Sequence, residues 1–215
     1  MAGCCHDDHC TAGRTTLNSP AWRRALWIAL AVNAAMFLAE ITAGLAARSA
    51  SLQADALDFL GDSANYAISL GVAGLTLGWR ARAALLKGAT LLLLGLWVLG
   101  STASHAIAGT LPSAPVMAGV AIAALLANGA VALLLYKFRG GDANMRSVWI
   151  CSRNDAIGNA AVLLAAAGVF GSGTGWPDII VASVMALLAI SGGWQIVGQA
   201  LGELRRPDRV PLAAE

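Results

Sequence analysis

Six times in 215 residues the chain runs for about twenty predominantly apolar residues. That is the length a helix needs to cross a hydrocarbon layer of about 30 Å. The runs lie at about 24–46, 52–78, 86–109, 114–136, 147–170 and 178–202. Backbone polar groups in lipid must be satisfied within the segment, so each run is predicted to be a helix. The predicted fold class is therefore an all-α integral membrane protein, a bundle of six transmembrane helices. Composition agrees, with 58% hydrophobic and 12% charged residues, against roughly a quarter charged in a soluble domain. The breaks carry turn-forming residues: Arg-Ser-Ala-Ser at 48–51, Gly-Trp-Arg-Ala-Arg at 78–82, Leu-Pro-Ser-Ala-Pro at 111–115, Arg-Gly-Gly-Asp at 139–142 and Gly-Ser-Gly-Thr-Gly-Trp-Pro at 171–177. Three parts follow: a tail at 1–23, a transmembrane domain at 24–204 and a short tail at 205–215. Neither tail is long enough for a folded soluble domain.

Basic residues set the expected orientation. Arg14, Arg23 and Arg24 precede the first span. Arg80, Arg82 and Lys87 fall between the second and third, and Lys137, Arg139 and Arg146 between the fourth and fifth. Arg205, Arg206 and Arg209 follow the sixth. Twelve of the 14 basic residues thus share one side; Arg48 lies in an opposite loop and Arg153 early in the fifth span. The positive-inside rule places both termini in the cytoplasm, as in a multi-pass protein of the cell inner membrane. The net charge of +2 then reports topology and points to no nucleic-acid partner. Arg23-Arg24 before an apolar run imitates a signal peptide. However, the run is span-length and contains Glu40, and its removal would leave an odd number of spans. Of the four cysteines, Cys4, Cys5 and Cys10 lie in the cytoplasmic tail and Cys151 inside the fifth span, so no disulfide framework is expected.

Against this apolar background the stretch DALDFLGD, residues 55–62, holds three carboxylates. An ionised Asp in mid-bilayer costs a few kcal/mol on even the most lenient scale, so three in one span require compensation. At about 100° per residue, Asp58 and Asp62 lie about 40° apart and Asp55 and Asp62 about 20° apart. The three share one stripe with Asn65 close by, and that stripe must face the bundle interior or a watered cavity. Asp55, in the expected first turn, reads as a carboxylate interacting with the helix dipole. Asp58 and Asp62 lie deeper. Closely spaced carboxylates cannot all stay ionised when empty, so a proton should be held there and released when a cation enters.

The fifth span opens SVWICSRNDAIGNAAVLL. Cys151 and Asp155, four apart, share a face, and Asn159 lies one turn further on. Asp58-x-x-x-Asp62 and Cys151-x-x-x-Asp155 on facing helices supply four ligands, the number a tetrahedral divalent metal takes. Each has a structural alternative: Cys151 as a small buried hydrophobe, Asp155 as the partner of Arg153.

Residues 33–63, NAAMFLAEITAGLAARSASLQADALDFLGDS, resemble the first two helices of the cation diffusion facilitator family. That family shows an Asn, a Glu seven residues on, a Ser-Leu, and an Ala-Asp-Ala followed by a His- or Asp-x-x-x-Asp pair. Asn128, the Asp155 region and Trp-Pro-Asp at 176–178 continue the likeness across about 24–204. The resemblance implies an exporter of divalent transition metals exchanging them for protons, with Asp58, Asp62, Cys151 and Asp155 as transport site. The sequence departs from the family in two ways. Cys151 stands where His is most frequent; a thiolate suits Zn²⁺ or Cd²⁺, while three carboxylates also tolerate Fe²⁺, Co²⁺ or Mn²⁺. A cytoplasmic C-terminal domain, usual in the family, has no counterpart after the sixth span, so a homodimer would be held through transmembrane helices.

The tail CCHDDHC offers Cys4, Cys5, His6, His9 and Cys10 as an accessory metal-binding tract. Glu40, Asp55, Asn65 and Asn159 are candidates for the ion pathway or for support of the ligands. Glu40, Asn33, Asn65, Asn128 and Gln195 are expected first of all to hydrogen-bond between helices, and His105 to sit at the interface. No nucleophile–base–orienter set is visible and no catalytic cofactor is implied, so an enzyme is not expected. The expected partners are divalent metal, protons and the lipid bilayer. Two other functions are compatible with parts of the pattern. An organic-cation exporter is disfavoured by the 6% aromatic content. A membrane metal sensor or scaffold would bind without transport.

Overall fold

The computed structural model describes residues 20–71, 77–138 and 143–205, with 77, 80 and 143–154 described as backbone only. The N-terminal Cys/His tract and the side chains of Cys151 and Arg153 lie outside the described residues. Six helices follow one another: α1 Pro20–Ala47, α2 Ala50–Gly71, α3 Leu77–Ala108, α4 Ala114–Tyr136, α5 Ala143–Ser172 and α6 Trp176–Arg205. No strand occurs among the described residues. The all-α, six-helix expectation is met. One boundary moves: the second predicted span ran to 78, but α2 ends at Gly71 and Leu77 begins α3. Arg82 and Lys87, expected in a connecting loop, are therefore inside α3.

The helix ends follow local chemistry. Pro20 opens α1, where a missing N–H leaves no bond unmade. Gly109 and Gly173, at φ +61° and +65°, take the left-handed conformation that stops α3 and α5. Arg48 does the same after α1 at φ 54°, and Ser49 N–H donates back to the Gly44 carbonyl at 2.9 Å.

The turns after α1, α3 and α5 meet at one end of the bundle. Ser113 N–H donates to the Ala47 carbonyl at 3.0 Å. Gly175 lies so close to the Thr110 carbonyl that a Cβ there would collide with it. Asp178, buried in the first turn of α6, closes the group. Its carboxylate accepts from Ser49 Oγ at 2.7 Å, Ala50 N–H at 2.8 Å, Ser51 N–H at 3.0 Å and Ser51 Oγ at 2.6 Å. Donors orphaned at the start of α2 thus find an anion from a distant helix, the sign the α2 dipole favours there.

The helices form two groups. α1, α2, α4 and α5 pack together, and α3 pairs with α6. The α3–α6 backbones approach closely where Gly88 faces Gly193: a Cβ on Gly193 would stand 3.0 Å from the Gly88 carbonyl oxygen. α2 alone contacts all five other helices. By length and apolarity alone, the other five helices can each supply a membrane span and α2 cannot. Its polar residues are tolerable because protein surrounds them. Large apolar side chains such as Leu133, Phe170 and Ile107 point outward, as lipid-facing residues do.

Asp178→Ala would leave the buried N–H groups of Ala50 and Ser51 without an acceptor, a cost on the order of 3 kcal/mol. The thermal midpoint in detergent is expected to fall clearly, and to fall less for Asp178→Asn, which keeps one acceptor oxygen.

Candidate functional site

α2 begins at Ala50, so its carboxylates lie at different depths. With a rise of about 1.5 Å per residue, Asp55 is about 7 Å from the helix start and Asp62 about 18 Å. Asp55 is not in the first turn, which holds no acidic residue. It is buried, and its Oδ2 accepts from the Asn159 side chain at 2.7 Å. The helix-start reading of Asp55 is therefore corrected: Asp178 occupies that role, and Asp55 belongs to the interior.

The interior polar group spans four helices. Asn159 Oδ1 accepts from Asn128 Nδ2 at 2.9 Å, which ties α4 to α5, and Asn159 ties α5 to α2. Glu40 of α1, fully buried, turns its carboxyl towards Asp55 and lies within electrostatic reach of Asp58. Asn33 donates only to the Ala29 carbonyl of its own helix, at 2.9 Å, and does not bridge helices as expected.

Deeper along α2 the stripe reaches a cavity of about 730 Å³, walled by α2, α3, α5 and α6. Asp58, Asp62, Asn65, Lys87, Gln195 and Gln199 are its polar lining; Leu57, Leu91, Val184 and Met185 are among its apolar walls. Gln195, expected to bond between helices, is exposed. The Asp62 carboxyl makes a side-chain hydrogen-bonding contact with Asp155 of α5 and accepts from Tyr66 Oη at 3.0 Å. Tyr66 is itself locked in an apolar cluster with Trp22, Leu26 and Leu135. Gly158 brings the α5 backbone alongside Asp58, where a side chain would narrow the space.

Asp58 and Asp62 thus line one wall, and Asp155 reaches Asp62 from α5. Cys151 lies four residues before Asp155 on α5, and its side chain is outside the described residues. Among the described residues no three His, Cys, Asp or Glu side chains close to metal-holding geometry. His105 is half-buried near the turn end, away from the cavity.

The unexpected member is Lys87. Its ammonium hydrogen-bonds the Asn65 carbonyl oxygen and acts electrostatically on Asp62. Read from the sequence, it was one more basic residue marking a cytoplasmic loop. Its position, ten residues into α3 and opposite Asn65, places a cation in the cavity itself.

The arrangement is that of a polytopic helical membrane protein with a buried carboxylate stripe opening into a polar-floored cavity. The cation efflux transmembrane domain model matches residues 26–204, and the chain belongs to that family. The chain is also similar to the cadmium, cobalt and zinc/H(+)-K(+) antiporter of Bacillus subtilis strain 168, with 24% identity over 200 residues. That match covers 86% of this chain and 64% of the relative, so the chain spans less than two thirds of its length.

Asn159→Leu would strip Asp55 and Asn128 of a partner at once, costing about 2–4 kcal/mol. Thermal unfolding in detergent should show a larger shift than for Lys87→Met, whose partners face the cavity.

Proposed function

We propose that this protein exports divalent transition-metal ions from the cytoplasm across the inner membrane, in exchange for protons, by alternating access. The observation that carries the reading is the meeting of Asp62 from α2 with Asp155 from α5 at the cavity wall, Asp58 one turn away, within a cation efflux fold. Asp58, Asp62, Cys151 and Asp155 are the proposed ligands. Three carboxylates and a thiolate favour Zn²⁺, with Cd²⁺ second, over Fe²⁺, Co²⁺ or Mn²⁺. Zinc and cadmium are both in the printed name of the Bacillus antiporter, which also includes cobalt. Chemistry on the metal is not proposed: four protein ligands leave no open coordination position, so the protein acts as a carrier and not as an enzyme.

In this reading the ion enters from the basic end of the bundle, where α1 begins and α6 ends. The Cys4–Cys10 tract concentrates it, and Lys87 supplies counter-charge to Asp62 until metal arrives. Rocking of the α3–α6 pair against the other four helices then exposes the ion at the turn end. Protons from that side complete the exchange, and a homodimer is held through transmembrane helices.

Reconstitution in liposomes with an imposed pH gradient tests the reading. Zn²⁺ or Cd²⁺ flux should require the gradient and fall at least about tenfold in Asp58→Asn, Asp62→Asn or Asp155→Asn, as loss of a ligand implies. Cys151→His should change the order of preference among Zn²⁺, Cd²⁺, Mn²⁺, Fe²⁺ and Co²⁺. Metal binding without flux of any of these would replace the carrier with a sensor.

Lys87→Met removes a positive charge beside the proposed ligands, so Zn²⁺ should bind several-fold more tightly; Lys87→Arg should leave affinity near wild type. Equilibrium titration decides it, and equal affinities in all three proteins would show that Lys87 does not oppose the metal. Deletion of residues 2–10 should raise the metal concentration for half-maximal flux.

A further inference from the structure

Glu40 and Asp55 present a problem that the proposed transport site does not solve. Both are almost wholly buried, at 0% and 1% exposure. Their carboxyls stand in hydrogen-bonding range of one another, yet a carboxylate brings no donor. Among the described residues, both Glu40 oxygens and Asp55 Oδ1 accept no hydrogen bond, and neither does Asn128 Oδ1. The Asn159 side-chain amide is spent on Asp55 Oδ2. Two buried carboxyls with three vacant acceptors between them are strongly unfavourable unless something positive sits there.

Among the described residues, the groups that face the pair supply nothing positive. α2 adds Asp58, which is another carboxylate; α4 and α5 add Asn128 and Asn159. Lys87 is engaged elsewhere, on Asn65 and Asp62, and Asn65 is ten residues or about 15 Å further along α2 than Asp55. The donor set is all oxygen, with no thiol or imidazole, so it does not favour the soft or borderline metals that Cys151 would attract. Nor is the pair part of the cavity wall. Ca²⁺ needs six to eight oxygens and Mg²⁺ usually keeps several waters, and this group offers few free oxygens. A proton needs no shell and no cavity, and as an O–H it supplies the missing donor.

We infer that Glu40 and Asp55 form a second cation site, distinct from the proposed metal ligands, at which one proton bridges the two carboxyls. The inference rests on the exchange proposed above and locates one of its partners. Asp58 joins the two sites electrostatically: positive charge on Asp58, Asp62 and Asp155 repels a proton at Glu40–Asp55. Metal and proton therefore exclude one another across about one turn of α2, which is the physical requirement for exchange. The proton passes from the carboxyl pair to water as the metal binds, and returns as the metal leaves; no other bond is made or broken.

Glu40→Gln separates this site from the other. The Gln amide can donate to Asp55 Oδ1, so the variant imitates the permanently loaded pair and should fold. The full-length protein in detergent is titrated with Zn²⁺ alone in buffers of different ionisation enthalpy, which gives the protons released per metal. Glu40→Gln should bind Zn²⁺ within about threefold of wild type and release about one proton fewer. Infrared difference spectra of the metal-free proteins should show, beside any band from the Asp62–Asp155 contact, a protonated-carboxyl stretch in wild type that is lost in Glu40→Gln and kept in Asp62→Asn. Equal proton release in wild type and Glu40→Gln would overturn the inference, as would a wild-type spectrum without that stretch. Loss of Zn²⁺ binding in Glu40→Gln would also overturn it, by making Glu40 part of the metal site. Undiminished Zn²⁺ binding in Asp62→Asn would sink the transport-site reading instead, and the infrared comparison would still decide where the proton sits.

Discussion

The burial of α2 is the constraint on which the rest of this structure depends. A helix with three aspartates cannot face lipid, where each charge costs a few kcal/mol or more. It can stand only where protein replaces lipid on every side, and α2 touches all five other helices. The other helices then divide their work. α1, α4 and α5 answer the inner part of the stripe with Glu40, Asn128 and Asn159, while α3 and α6 leave space beside its deeper part. The same helix is thus packed tightly at Asp55 and opens into a cavity at Asp58 and Asp62.

The two helix groups are joined unequally along their length. At the turn end, Asp178 of α6 holds the start of α2 through four hydrogen bonds, two of them to backbone. Further along, a cavity of about 730 Å³ separates α3 and α6 from α2 and α5. Contact between the two groups is thus direct at the turn end and interrupted further in. Close Gly88–Gly193 packing keeps α3 and α6 together as a unit, so a relative movement would be of the pair and not of either helix alone.

Much of the site was legible because the helical period is fixed. Asp58 and Asp62 on one interior face of α2 needed only the 3.6-residue repeat and the cost of charge in lipid. Three features were not legible, for separate reasons. Asp55 was misplaced because a periodic pattern does not say where a helix begins; α2 starts at Ala50 with Asp178 as its acceptor, 128 residues away. Lys87 reads as a topology marker in the sequence because counting basic residues ignores whether a side chain points to water or inward. Glu40 was expected to be buried, but its partner was unknown, since pairing between α1 and α2 depends on how the helices rotate against one another.

The sequence alone determined the number of helices, the all-α class and the need to hide one stripe of α2. These follow from local quantities: the length of apolar runs and the expense of unpaired charge in hydrocarbon. The tertiary structure alone decided which carboxyls meet. Asp62 contacts Asp155, Asp55 turns to Asn159 and Glu40, and Asp178 leaves its own helix to cap another. Those pairings depend on helix rotation and crossing, which packing of side chains between helices fixes and no period along one helix contains.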